Sequence, residues 1–159
     1  MADSTGTNRT IQVERVVSAP PEKLWGLVSD ITRMGDWSPE TTGAAWSGGA
    51  DRPAVGARFK GTNRNGSRSW KTECVVVSCD PGRNFAFDVK AGPLKVARWS
   101  YEFEAVEGGC RVVERWEDHR GPVITWLSPL VSGTKDRAER NRETMTETLS
   151  RLAAAAEAA

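Results

Sequence analysis

The sequence has little of what builds metal centres or cofactor sites. It contains a single histidine, and His119 stands in the charged stretch 117–120 with no second histidine or thiolate at metal-ligand spacing. No Ser-His-Asp or Cys-His set can be assembled around it. The glycine pairs Gly48–Gly49 and Gly108–Gly109 read as turns, and no glycine-rich phosphate loop is present. We therefore expect no metal and no cofactor.

The sequence also lacks an excess of charge of either sign and any long apolar run. Lys and Arg number 22 against 21 Asp and Glu, which gives a net charge of +1 and no basic field to recruit nucleic acid. No run approaches the ~18 apolar residues of a membrane span. The first ten residues are polar and unlike a signal peptide, so we expect a cytoplasmic protein with no nucleic-acid partner and no membrane span.

Cysteine is scarce and odd in number. Cys74, Cys79 and Cys110 form no CxxC motif, and the first two lie five residues apart in a predicted strand, where their side chains point to opposite faces. All three are expected to be free thiols. A chain of 159 residues can bury enough surface to fold as one domain without disulfides. We expect a disordered N-terminus over residues 1–9 and a single domain over 10–155.

Tryptophan, in contrast, is abundant. The chain has seven tryptophans and one tyrosine. Tryptophan is common where an apolar wall meets a ligand or water. An aromatic-rich closed core is the alternative interpretation.

The order of elements predicts the fold class. A strand over 11–17 is followed by two short helices, about six strands separated by Gly, Asn-Gly and Pro-Gly turn signals, and one long helix from Thr134 to about Ala155. Thr134 is the expected N-cap of that helix. Strands in series followed by a helix favour an α+β fold with an antiparallel sheet.

The alternation of polar residues indicates which side chains face inward. In the strand from Lys95 to Val106 the inward set is Ala97, Trp99, Tyr101 and Phe103. In the last strand, Cys110 to His119, the two phases conflict. The phase that contains Val112 and Trp116 is the more apolar, which places Glu114 on the inner face.

The long helix has an uneven inward stripe, which comprises Ala138, Asn141, Met145, Thr148, Leu149 and Leu152. Its C-terminal half is apolar, whereas its N-terminal half is small or polar. A helix packed on a dry core normally carries a broader apolar stripe. The polar half therefore indicates either a gap with polar anchors or a solvent-exposed first turn. Arginines and glutamates alternate elsewhere on this helix, and Arg137, Arg140, Arg142 and Arg151 are predicted to lie on a solvated face.

Taken together, the motifs resemble the START-like (SRPBCC, Bet v 1-like) superfamily, and within it the bacterial polyketide cyclase/dehydrase-like proteins. The resemblance covers about Ile11 to Leu152. It rests on the segments 17–25, 28–30, 34–40, 55–61, 80–87, 99–101, 111–114 and 137–152. It implies a helix-grip fold, in which a curved seven-stranded antiparallel sheet wraps round the C-terminal helix over a hydrophobic pocket. It implies no universal catalytic motif and leaves the ligand open.

These observations predict a cavity that binds a small hydrophobic molecule, such as a lipid, a polyketide or an aromatic metabolite. An enzyme of the polyketide cyclase or dehydratase type is the first alternative. A protein-interaction module that docks through the apolar segment 122–131 is the second. The oligomeric state is left open. The predicted ligand-binding residues are Trp37, Phe59, Trp70, Thr72, Phe87, Trp99, Tyr101, Glu114, Trp116, Asn141 and Met145.

Glu114 is the one candidate for chemistry. A carboxylate on an apolar face is costly unless it is paired or protonated. Desolvation would raise its pKa and leave a proton available for acid catalysis, whereas a cation such as Arg137 would lower the pKa again. We favour the ion pair here. Trp37, in the turn 36–38, is either part of a lid over the pocket or a packed turn residue.

Overall fold

The computed structural model describes residues 10–121, 124, 126, 129–130 and 136–158. Residues 1–9 and most of the segment 122–131 lie outside this range. The elements in chain order are β1 (Thr10–Val17), α1 (Pro21–Ser29), a 3-10 turn (Ile31–Arg33), α2 (Met34–Trp37), β2 (Thr41–Ser47), β3 (Arg58–Asn65), β4 (Arg68–Asp80), β5 (Asn84–Ala91), β6 (Leu94–Val106), β7 (Gly109–Asp118) and α3 (Arg137–Glu157).

The seven strands form one antiparallel sheet in the order β1-β7-β6-β5-β4-β3-β2. Strands β2 to β7 are joined in sequence to their neighbours, and β1 pairs with β7 at the far edge. The two short helices follow β1 and carry the chain to the opposite edge of the sheet, where β2 begins. The predicted α+β helix-grip fold is confirmed.

Local chemistry explains where the helices begin. Pro21 stands at the first position of α1, where its missing N–H costs no hydrogen bond, and Glu22 lies in the first turn. In α3 the carboxylate of Asp136 accepts a hydrogen bond from the backbone N–H of Glu139 at 3.1 Å. The cap is therefore Asp136. Thr134, the expected cap, lies outside the described residues.

Two glycines bear on the bounds of these elements. β3 begins at Arg58, two residues after Gly56, whose φ of 89° lies outside the range of extended backbone. Gly35 lies inside α2, although glycine is a weak helix former.

The core fills only part of the space between α3 and the sheet. Leu149 and Leu152 of α3 pack in the main cluster with Phe59 and Phe85 of the sheet. A smaller cluster of Ile11, Ala97, Trp116, Ala138 and Met145 lies towards the start of α3. The polar first half of α3 is buried rather than exposed, since Asn141, Thr144 and Thr148 are all at most 6% accessible.

Candidate functional site

A cavity of about 420 Å³ lies between the inner face of the sheet and the N-terminal half of α3. Residues around α2 and the start of β2 close one side of it. Eight of the eleven residues predicted to bind a ligand line this cavity: Phe59, Trp70, Thr72, Phe87, Trp99, Tyr101, Trp116 and Asn141. The inward phases of the strands therefore converge on one space.

Aromatic rings form much of the cavity wall. Trp99 and Trp116 are cross-strand partners on β6 and β7, with ring centroids 6.4 Å apart. Phe59 and Phe87 meet edge to face at 5.0 Å. Such offset and edge-on pairs hold the rings in place against their neighbours. The result is a rigid apolar surface that faces an open volume.

The other three predicted residues lie outside the cavity wall. Trp37 is 5% exposed and packs in the core, with the Arg33 guanidinium 4.8 Å from its ring centroid. It is therefore a packed residue at the end of α2 in this structure. Met145 packs in the smaller cluster with Trp116. Glu114 lies behind the wall and is 2% exposed.

Glu114 makes one hydrogen bond, which joins it to a cavity residue. The Tyr101 hydroxyl lies 2.9 Å from Glu114 Oε1, while Oε2 is buried without a partner among the described residues. Burial raises the pKa of Glu114 to about 8, and the tyrosine hydrogen bond offsets only part of that rise. Burial also raises the pKa of Tyr101, and the nearby Glu114 raises it further. The carboxyl group thus keeps its proton to a higher pH than an exposed glutamic acid does.

The ion pair expected between Glu114 and an arginine such as Arg137 is not the one that forms. Arg137 Nη1 instead lies 2.6 Å from Glu40 Oε1 and 3.4 Å from Asn141 Oδ1. Its guanidinium lies 5.6 Å from the Trp70 ring centroid. Arg137 reaches across from α3 to the start of β2, so its cation neutralises a carboxylate that the sequence pattern did not single out.

The prediction that Arg137 lies on a solvated face of α3 is wrong, because only 11% of its side chain is exposed. Both Arg137 and Glu40 line the cavity. A signal was available in the sequence: Arg137 is four residues before Asn141, so the two share a helix face. The interleaved glutamates obscured it. Glu40 carried no such signal, since it follows Pro39 in a turn.

A second arginine lies at another part of the cavity wall. Arg120 donates hydrogen bonds to both carboxylate oxygens of Asp118, each at 2.8 Å, and its guanidinium lies 5.9 Å from the Trp116 ring centroid. Asp118 is 3% exposed. Its alternation with Trp116 in β7 already placed it on the inner face, and the buried acid requires this partner.

Hydroxyl and amide groups add a polar strip to the wall. The Thr41 hydroxyl lies 3.0 Å from Ser38 Oγ, and the Asn63 amide donates a long hydrogen bond of 3.4 Å to Thr72 Oγ1. All four residues line the cavity. The cavity thus combines aromatic surface with a polar strip, as a ligand that is mostly apolar but carries a few oxygens would require.

Nucleophilic or metal chemistry has no support within the described part of the chain. Burial raises the pKa of the Cys74 thiol, which lines the cavity, to about 12, so it stays protonated and unreactive. Across those same residues no three His, Cys, Asp or Glu side chains cluster as metal ligands would. None of the helices described has the length and apolarity to cross a membrane.

Known proteins share the sequence pattern and the fold of this chain. A family model described as polyketide cyclase / dehydrase and lipid transport matches residues 8–157. The chain is similar to a polyketide-cyclase-like protein from Corynebacterium glutamicum, at 29% identity and a TM-score of 0.60, over 96% of this chain and 91% of that one. No protein with a curated description matches the sequence.

More distant solved structures share the fold. One is the di-domain ARO/CYC BexL from the BE-7585A biosynthetic pathway, at 17% identity and a TM-score of 0.70, over 96% of this chain and 51% of that one. Another is the major latex-like protein 151 from Panax ginseng, at 10% identity and a TM-score of 0.74, over 96% and 99%. At such identities the likeness speaks for the fold alone.

Proposed function

This chain belongs to the polyketide cyclase/dehydrase and lipid transport family, and we propose that it binds a small hydrophobic molecule in the cavity between its sheet and α3. The observation that carries the proposal is the cavity itself. Side chains pack closely around Leu149 and Leu152, yet about 420 Å³ stays open under the first half of the same helix. Small or polar side chains there, such as Asn141 and Thr144, keep that volume open.

The character of the wall sets the class of ligand. Aromatic rings favour a molecule with broad apolar faces, because burying apolar surface stabilises by about 25 cal/mol per Å². Polar groups such as Asn63 and Thr72 favour a molecule that also carries oxygens. A lipid, a polyketide or an aromatic metabolite meets both conditions, and the family description includes lipid transport and polyketide chemistry.

A cavity-filling substitution tests the proposal. Thr144 lines the cavity, and its hydroxyl donates to the Asn141 carbonyl at 3.1 Å. Thr146, two residues further on, makes the same kind of bond to the Arg142 carbonyl but is exposed. Thr144→Phe should occupy the cavity, at a cost of roughly 1–3 kcal/mol for overpacking. Thr146→Phe is the matched control.

The measurement is a fluorescence titration with the neutral apolar probe N-phenylnaphthylamine. We expect the wild type and Thr146→Phe to bind it with equal affinity and Thr144→Phe to lose at least about tenfold, a change of roughly 1.4 kcal/mol. Circular dichroism shows whether each variant is folded. Equal binding by a folded Thr144→Phe variant, or no binding by the wild type, would refute the proposal.

The second candidate function is an enzyme of the cyclase or dehydratase type. The observation that favours it is a buried carboxyl group that is hydrogen-bonded to a phenol in the cavity wall and whose pKa is raised by burial. Such a pair can lend a proton to a bound carbonyl group. We rank this function second, because two of the carboxylates near the cavity, Glu40 and Asp118, are already paired with arginines.

The interaction-module alternative has less support. It requires a filled core and an exposed apolar patch, whereas the core contains a cavity. Trp126 and Leu130 are exposed, at 76% and 62%, but most of the segment 122–131 lies outside the described residues.

A further inference from the structure

Tyr101 and Glu114 form a hydrogen-bonded pair in which only the tyrosine belongs to the cavity wall. They are cross-strand partners on β6 and β7, so the sheet fixes their separation. Tyr101 lines the cavity, and its hydroxyl lies 2.9 Å from Glu114 Oε1. Glu114 is 2% exposed and does not line the cavity, so it can act on a ligand only through Tyr101.

Few charged residues share the inward phase around Glu114 among the described residues. On β1 the charged position of that phase is Arg15, which lies opposite Val112 and is exposed. Val13 of β1 lies opposite it in the sheet, and Val112 and Trp116 flank it on β7. The fully buried positions of α3 hold no titratable side chain, and the largely buried Arg137 of this helix is paired with Glu40. Of the cavity arginines, Arg137 pairs with Glu40 and Arg120 with Asp118. The protonation of Glu114 is therefore set by burial and by Tyr101.

The two protonation states of Glu114 present different groups to the cavity. An ionised carboxylate only accepts, so the tyrosine O–H must donate to Glu114. The phenol oxygen then offers only its lone pairs to the cavity. A neutral carboxyl group can donate its own proton to the phenol oxygen, which frees the tyrosine O–H. The pair thus acts as a donor towards the cavity in one state and as an acceptor in the other.

We propose that Tyr101, hydrogen-bonded to Glu114 behind it, donates a hydrogen bond to a carbonyl oxygen of the bound molecule. The proposal rests on the proposed binding function and narrows the ligand to hydrophobic molecules that carry a ketone or a similar acceptor. Tyr101 is the contacting group and Glu114 is a positioning residue. A saturated hydrocarbon of the same shape binds without this contribution.

The pair makes ligand affinity depend on pH in one direction. Because the pKa of Glu114 is raised to about 8, the donor state dominates below that pH and is lost above it. Affinity for a ketone should fall as pH rises through this value, while affinity for a matched hydrocarbon should stay constant. A neutral hydrogen bond of ordinary strength corresponds to roughly a fivefold to tenfold change in affinity.

The test uses two fluorescent probes of the same shape: an aminonaphthalene that carries a propionyl ketone and its propyl derivative, which lacks the oxygen. Each is titrated against the full chain at about pH 6 and about pH 9, on either side of the transition. We expect the wild type to bind the ketone probe roughly fivefold to tenfold more tightly at about pH 6 than at about pH 9. The propyl probe should bind equally at both.

Two variants separate the roles. Tyr101→Phe should bind both probes equally at both pH values, because the donor is gone. Glu114→Gln cannot ionise, so its ketone affinity should be the same at both pH values. Glu117→Gln, on the same strand but partly exposed, is the control and should keep the wild-type pH dependence.

The outcomes are distinct. If the wild type binds neither probe, the proposed binding function fails, and this inference fails with it. If both probes bind with equal affinity at both pH values, the binding function stands and the inference is wrong. The inference is also wrong if the pH dependence persists in Glu114→Gln or if Tyr101→Phe keeps the ketone preference.

Discussion

At the scale of single residues, Glu114 carries an energetic cost. An acid placed among Val112, Trp116 and Val13 loses water that a single hydrogen bond from Tyr101 does not replace. The protein meets that cost by keeping the proton on the carboxyl group, as its pKa of about 8 indicates. An apolar side chain of similar size would avoid the cost, so the acid is retained at the expense of stability.

The first prediction concerns stability against pH. The pKa of Glu114 rises from 4.5 to about 8 on folding, so between these values the unfolded chain releases a proton that the folded chain keeps. The free energy of unfolding therefore falls across that window and levels off above it. Glu114→Gln should remove the fall and, near pH 8, be more stable than the wild type by on the order of a few kcal/mol.

Urea denaturation at a series of pH values measures this effect. Glu117→Gln on the same strand should follow the wild-type curve. If Glu114→Gln and the wild type lose stability in parallel across the window, the carboxyl group ionises freely in the folded state.

The sequence pattern predicted the position of Glu114 but not its partner. The alternation of Val112 and Trp116 was sufficient to place the acid inward. Which of several residues it meets depends on strand register and on where α3 lies, and neither is encoded in a local pattern. Arg137 was available as a cation, but the backbone brings it to Glu40 instead.

At the scale of elements, one buried ion pair ties the two sides of the cavity together. Glu40 precedes β2 and Arg137 begins α3, and both side chains are about nine-tenths buried. The Glu40 carbonyl also accepts a backbone hydrogen bond from Arg64 of β3 at 2.7 Å, which anchors the loop to the sheet. The start of α3 is thus held to the sheet edge.

The second prediction is that Arg137→Met destabilises the fold by ~3 kcal/mol, because Glu40 would be left as a buried charge without its partner. Glu40→Gln combined with Arg137→Met should recover part of the loss. Arg142→Met, at an exposed position of the same helix, should change stability by no more than about 0.5 kcal/mol. Denaturant unfolding gives all three values, and equal effects of Arg137→Met and Arg142→Met would show that the pair does not hold α3 to the sheet.

The third prediction contrasts two glycines. Gly109, at the start of β7, has a φ of 149°, and a Cβ there would collide with the carbonyl oxygen of Val17 on β1. Gly109→Ala should destabilise by at least ~2 kcal/mol. Gly26 lies in the middle of α1 with open space where an alanine Cβ would stand, so Gly26→Ala should stabilise by roughly 0.5–1 kcal/mol. The melting temperatures of both variants test this contrast. A Gly109→Ala variant that melts above the wild type would contradict the close approach of β1 and β7 at this position.

Helix and strand boundaries were predictable where a proline or a turn-forming Asn-Gly pair marks the end of an element. Pro21 and the Asn65-Gly66 turn mark ends that the structure keeps. The cap of α3 was less predictable, because Asp136 and Thr134 are both residue types that cap helices.

At the scale of the whole molecule, the order of strands and helices was enough to predict the fold. Alternating polarity defines one buried face on each strand, and an antiparallel sheet with one such face needs a helix to cover it. The cavity was only partly predictable. The polar half of α3 indicated a gap, but its volume and its arginines depend on how side chains from many elements meet.

The tryptophans report directly on whether a small hydrophobic molecule occupies this cavity. Trp70, Trp99 and Trp116 line the cavity, whereas Trp25 lies in α1 and its indole N–H donates to the Asn84 carbonyl at 2.8 Å. In a proton–nitrogen correlation spectrum, N-phenylnaphthylamine should shift the indole signals of the three cavity tryptophans and leave that of Trp25 in place. If none of the three shifts, or if Trp25 shifts instead, the cavity is not the binding site.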